Sequence, residues 1–107
     1  MKDYQKCIEA CLKCASACQH CAASCTRLDD VNMMATCIRN DMECAALCYA
    51  AAQLMSLGSD KATEVCKICA ELCEKCGAEC AKHDHAHCKA CAEACRICAD
   101  ECRKMAA

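Results

Sequence analysis

Six cysteines recur at alternating steps of four and three residues in CIEACLKCASACQHCAASC, residues 7–25. Such steps keep side chains on one face of an α-helix, the face that packs against the other helices of a bundle. The same spacing returns among the five cysteines of residues 66–80 and the five of residues 88–102. Thiols therefore occupy positions where a helical core normally has leucine and isoleucine. The pattern predicts three helices with thiol-lined buried faces.

The rest of the chain also favours helix, because it has no proline and only two glycines. Polar clusters mark the breaks: Asp3 before the first helix, then residues 28–30, 58–60 and 83–84. The expected helices span about 3–27, 30–57, 60–82 and 85–105. Short connections make neighbouring helices antiparallel. We therefore predict an all-α, antiparallel up-down-up-down four-helix bundle with cysteines lining the core, as a single domain of residues 1–107.

Composition indicates that this core is thinly packed. Of 107 residues 19 are cysteine, only 12 are Val, Ile or Leu, and neither Phe nor Trp occurs. Small side chains bury little apolar area, and apolar burial contributes only about 25 cal/mol per Å². Something besides ordinary packing is expected to stabilise the working form.

Charge and hydropathy exclude several classes of protein. Lys and Arg (13) nearly balance Asp and Glu (15), and aromatic residues make up 2%, so nucleic-acid binding is not expected. The longest uncharged run, residues 44–59, is shorter than the ~20 residues that span a bilayer. Residues 1–14 lack the apolar segment of a secretory signal. A cytosolic protein without a membrane role is expected.

The number of thiols constrains their chemistry. An odd count of 19 in a reducing compartment argues against a disulfide scaffold, and C-x2-C redox catalysis needs a βαβ context that is absent. Closed four-thiolate zinc sites would each bury a net charge of −2, whereas one Cu(I) per thiolate leaves a neutral core. Cu(I) is thus favoured. A metallothionein-like zinc or cadmium buffer and a thiol redox protein stay open as alternatives.

A cysteine-lined seam on all four helices resembles the bacterial copper storage proteins, and the lack of a leader resembles their cytosolic branch. The resemblance covers the whole chain. It implies a non-enzymatic store of many Cu(I) ions, up to about one per cysteine, for sequestration, detoxification and supply, in bundles that form tetramers. A copper chaperone or efflux partner would exchange the metal. The implied ligands are Cys7, Cys11, Cys14, Cys18, Cys21, Cys25, Cys37, Cys44, Cys48, Cys66, Cys69, Cys73, Cys76, Cys80, Cys88, Cys91, Cys95, Cys98 and Cys102.

The second helix departs from a full seam. Its buried line contains only three cysteines and reads Met34, Cys37, Asp41, Cys44, Cys48, Ala51 and Met55. Asp41 is either a weak oxygen ligand or a side chain that tilts outward. The apolar run of this helix, residues 44–59 with Leu47, Tyr49, Ala50 and Leu54, is the candidate oligomer interface.

One end of the bundle is expected to admit the metal. His83, His85 and His87 lie in the third turn, at the same end as Met33 and Met34, and two of these histidines continue cysteine lines. The alternative is a solvated hairpin. His20 is expected to be an exposed side chain. Met55 and Met105 continue the seams at the opposite end and are expected to plug it, with metal ligation as the alternative.

Overall fold

The computed structural model describes residues 3–106, which form four α-helices around one core. The helices are α1 (Gln5–Cys25), α2 (Ala35–Leu57), α3 (Ala62–Cys80) and α4 (Ala86–Ala106). Each helix packs against its two neighbours around the bundle, α1 against α2 and α4, and α3 against α2 and α4. The bundle measures 49 × 18 × 17 Å. The predicted antiparallel four-helix architecture is confirmed, and none of residues 3–106 lies in a strand.

The second helix begins later than the sequence indicated. Residues Val31–Met34 form a 3₁₀ turn, in which the Met33 N–H donates to the Asp30 carbonyl at 2.9 Å, and α2 starts only at Ala35. The Asp30 side chain makes no capping hydrogen bond. Of the expected single domain, residues 1, 2 and 107 lie outside the described residues.

The other helix ends follow the polar punctuation of the sequence. Asp3 Oδ1 accepts a hydrogen bond from the Gln5 N–H at 3.0 Å. Gly58 adopts a left-handed φ of 67° and the Ser59 N–H donates to the Leu54 carbonyl at 2.9 Å, a Schellman ending of α2. Glycine suits this position because it has no Cβ to strain.

The interior of the bundle is built from cysteine and alanine. All 19 cysteines are buried, none more than 1% exposed. At Gly77 an added Cβ would lie 3.2 Å from the Cys95 Cβ, so glycine there lets α3 and α4 approach closely. Within residues 3–106 no helix is long and apolar enough to cross a bilayer.

Candidate metal centre

The cysteine side chains form a column of thiols along the bundle axis, with the Asp41 carboxyl among them. All 19 are free, and the close pairs have Sγ–Sγ distances of 3.5–4.0 Å, as between Cys37 and Cys80 or between Cys44 and Cys73. These contacts join all four helices, because each helix directs its 3-4 seam inward. Three sulfurs that share one ion at a bond length of about 2.3 Å lie about 4.0 Å apart. The unloaded thiols are therefore already near bridging distance.

Several sets of four ligand atoms lie within 4.8 Å of one another. One set combines Cys14, Cys44, Cys48 and Cys73, and another combines Cys18, Cys76, Cys91 and Cys95. The second of these sets and a third set, of Cys14, Cys18, Cys44 and Cys95, share Cys18 and Cys95, and the third set shares Cys14 and Cys44 with the first, so these ligands form one extended array. Distances of this size suit both three-coordinate and tetrahedral metal ions, so net charge rather than spacing favours Cu(I).

Burial keeps thiols near the histidine end of the bundle protonated. Burial is the largest of the effects that together raise the pKa of Cys88 to about 11. Burial also raises the pKa of Cys37, with the nearby Asp41 carboxyl acting in the same direction. A bound cation reverses this balance, since thiolates rather than thiols bind metal. Metal uptake at these positions therefore releases protons.

Asp41 points into the column and is fully buried, so the alternative that it tilts outward is wrong. Its Oδ1 accepts hydrogen bonds from the thiols of Cys76 at 3.1 Å, Cys91 at 3.3 Å and Cys80 at 3.6 Å. Burial raises the pKa of Asp41 to about 9. The side chain is thus a neutral acid at pH 7 and satisfies thiol donors from α3 and α4.

Of the three histidines in the third turn, His87 is the one that joins the thiols. Its Nε2 lies 3.3 Å from Cys25 Sγ, and it forms a four-ligand set with Cys21, Cys25 and Cys88. His85 stacks on His87 with ring centroids 5.3 Å apart. Burial lowers the pKa of His87, and positive charge on His85 and His20 would lower it further. A neutral imidazole is the form that binds metal.

The remaining side chains proposed at this end are placed differently. His83 Nε2 lies 3.0 Å from Glu79 Oε2, and this contact lowers the pKa of Glu79. Met34 is buried, whereas Met33 is 73% exposed and lies outside the core. His20 is exposed, as predicted.

The opposite end is closed by methionine side chains. Met55 is 3% exposed, and the Cys66 thiol donates to its Sδ at 3.6 Å. Met105 is partly buried and packs against the core. Both lie where the plug was expected.

Two polar side chains of the interior were missed from the sequence. Asn40 is 5% exposed and Glu101 is 8% exposed. Glu101 Oε2 pairs with Lys104 at 3.1 Å, and the Glu79–His83 contact was missed as well. The i,i+3 and i,i+4 spacings of these pairs are the signal that could have found them.

Known proteins resemble this chain in sequence and in fold. A model of the copper storage protein family matches residues 1–107. The Bacillus subtilis (strain 168) protein YhjQ, described as an uncharacterized cysteine-rich protein, is 48% identical over 108 residues, all of both chains. The Cu(I)-bound structure of the copper storage protein BsCsp3 has a TM-score of 0.94 at 48% identity, covering 97% of this chain and 98% of that one. A cytosolic copper storage protein from Streptomyces lividans, solved with five coppers, has a TM-score of 0.91 at 44% identity, covering 95% and 90%.

Proposed function

The chain belongs to the copper storage protein family, and we propose that it stores many Cu(I) ions as thiolate complexes inside its four-helix bundle. The observation that carries this proposal is the set of 19 buried, free thiols lining the bundle core. Cu(I) is soft, and one ion per thiolate leaves no net charge in a dry core. Relatives solved with several coppers inside the same fold support the assignment. The proposed capacity is up to about one Cu(I) per cysteine.

The role of the store is sequestration of excess Cu(I) in the cytosol, with later supply to a copper chaperone or an efflux partner. The Streptomyces relative is a cytosolic protein, which supports this location. The thiols act as ligands and carry out no catalysis. All 19 cysteines are proposed ligands, with Asp41 as an auxiliary oxygen ligand and Met34 as an auxiliary sulfur ligand.

Copper enters, in this proposal, through the end of the bundle that carries the histidines. His87 is half-buried with its Nε2 3.3 Å from Cys25 Sγ, so one ligand exchange passes an ion from imidazole to thiolate. His85 stacks on His87 with ring centroids 5.3 Å apart and extends the ligand path outward, and His83 is proposed as a further entry residue. His87→Ala should slow transfer of Cu(I) from a chelator, whereas His20→Ala should not. Equal rates in stopped-flow absorbance would exclude this entry.

A zinc or cadmium buffer is the rival function, and the four-sulfur sets are the observation in its favour. The deciding experiment is an anaerobic titration of the fully reduced protein with Cu(I), with Zn(II) in a parallel arm. Native mass spectrometry counts the metal ions bound.

We expect copper to approach one ion per cysteine and zinc to reach no comparable number. The triple variant Cys14→Ser/Cys44→Ser/Cys73→Ser should bind about three fewer copper ions, while the exposed Ser16→Ala should match the parent protein. Saturation at a handful of copper ions, or tight filling of about four zinc sites, would refute copper storage in favour of the buffer.

The oligomer proposed for this store is a homotetramer. The outward stripe of α2, comprising Met42, Ala46, Tyr49, Gln53 and Leu57, is exposed and carries no charged side chain. Leu47 and Leu54 are only partly exposed and pack against the core. The exposed stripe is therefore the proposed contact surface between bundles.

A further inference from the structure

The closed end of the bundle, where α2 and α4 end and α1 and α3 begin, holds a sulfur atom that is not a thiol. Met55 Sδ lies 3.6 Å from Cys66 Sγ and accepts the hydrogen bond of that thiol. Met55 is 3% exposed and Cys66 is fully buried. The thioether is thus aimed at the column, inside the range of 3.5–4.0 Å that separates its thiols.

The other three helices bring thiols to this level. Cys7 on α1 and Cys102 on α4 lie 3.7 Å apart. Cys66 lies near the start of α3, at the same end of the bundle, and is fully buried. On α2 this level has only Ala51 and Ala52, both buried, and then Met55. Met55 is therefore the only sulfur-containing residue of α2 that follows Cys48 in the sequence.

A thioether has a use here that an apolar plug would lack. Methionine is a soft ligand that suits Cu(I), and it binds as a neutral atom. At the last level of the column it adds a third or fourth sulfur to an ion without adding charge. Leucine would close the end equally well but would leave the Cys66 thiol without its acceptor.

We propose that Met55 is a copper ligand, which with Cys66 forms a mixed thiolate–thioether Cu(I) site at the closed end of the column. The inference rests on the proposed storage of Cu(I) and extends it beyond the cysteines. Two sulfurs 3.6 Å apart can share one ion, since metal–sulfur bonds of about 2.3 Å allow separations up to about 4.6 Å. Met55 therefore binds metal at a position where the sequence favoured a hydrophobic plug.

Selenium X-ray absorption tests this directly. The protein is produced with selenomethionine, filled anaerobically with Cu(I), and measured at the selenium edge beside Met55→Leu and Met42→Leu. Met42 is the matched control, because it lies on the same helix and is 60% exposed. We expect a selenium–copper distance in the parent protein and in Met42→Leu, with a clearly weaker signal in Met55→Leu.

The copper count separates this inference from the function on which it rests. A protein that fills with copper but gives no selenium–copper signal would overturn the Met55 site, and the Met34 ligand with it, but not copper storage. A protein that keeps the full signal in Met55→Leu would overturn the Met55 site alone. A protein that takes up no copper would overturn both proposals. Leucine has about the volume of methionine, so circular dichroism should show Met55→Leu folded.

Discussion

At the scale of single residues, Asp41 is the exception in an interior of thiols. It takes a seam position on α2 and accepts hydrogen bonds from thiols of α3 and α4. Burial raises its pKa to about 9, so folding stabilises the protonated acid. An unfolded chain would ionise the same group near its ordinary value of 3.8. Stability and pH are coupled through this one carboxyl.

The sign of that coupling follows from proton binding. Between about pH 4 and pH 9 the folded protein holds a proton that the unfolded chain has lost, so this group's contribution to stability falls as pH rises, by about 1.4 kcal/mol per pH unit. Asp41→Asn cannot ionise and should remove this slope. Urea unfolding of the reduced, copper-free protein at pH 5, 6, 7 and 8 measures it. Parallel pH profiles of parent and variant would contradict the assignment.

At the scale of elements, the ends of the helices decide how well the seams align. Gly58 ends α2 in a left-handed conformation, and nothing lies within 4 Å of the position that a Cβ would take. Strain of the backbone, rather than a clash, is therefore the cost of a side chain there. The 3₁₀ turn at Val31–Met34 sets the other end of α2 and buries Met34 at the level of the histidines.

Gly58→Ala should lower the free energy of unfolding by about 1 kcal/mol, because a Cβ disfavours the left-handed region. Gly58→Asn should recover part of the loss, since asparagine tolerates this conformation better. Thermal unfolding of the copper-free variants measures both. An alanine variant as stable as the parent protein would show that α2 does not end in a left-handed conformation at residue 58.

At the scale of the whole molecule, the metal-free bundle is stabilised by the burial of little apolar surface. Its core consists of cysteine and alanine with two buried methionines, Met34 and Met55. Bound Cu(I) would cross-link all four helices through shared thiolates, and each tenfold excess of free metal over its dissociation constant adds about 1.4 kcal/mol to stability.

Copper loading should therefore raise the melting temperature by more than 10 °C, since about 1 kcal/mol corresponds to 4–8 °C in a domain of this size. Circular dichroism of loaded and copper-free protein measures the change, and a competing Cu(I) chelator should reverse it. Equal melting temperatures would mean that the metal is held without tightening the fold.

The uncharged stripe of α2 is the proposed contact surface between bundles. Ala46→Arg places a charge in its middle and should convert the proposed tetramer to smaller species, because a buried unpaired charge is costly. Ala90→Arg, at an exposed position of α4, should leave the assembly intact. Light scattering behind a sizing column measures both. A tetramer that survives Ala46→Arg would exclude this face.

The helices, their order and the thiol-lined core can be predicted from the residues alone. The 3-4 spacing of cysteines is a local rule, and a helix that follows it has only one way to face its neighbours. Asp3 and Gly58 were readable for the same reason, since capping depends on residues a few positions apart. The preference for Cu(I) could also be predicted from the sequence, because the net charge of a metal-filled core depends only on the number of thiolates and the charge of the ions.

The contacts between side chains of different helices are known only from the packed bundle. Packing turned Asp41 inward against three thiols, gave His87 and His83 different partners, and aimed the Met55 thioether at Cys66. None of these contacts follows from the seam pattern. The pattern shows which face of a helix is buried, but it does not show how far the neighbouring helix is shifted along the bundle axis or rotated about its own axis. Those are set when four helices pack together, and there the contacts between distant residues are decided.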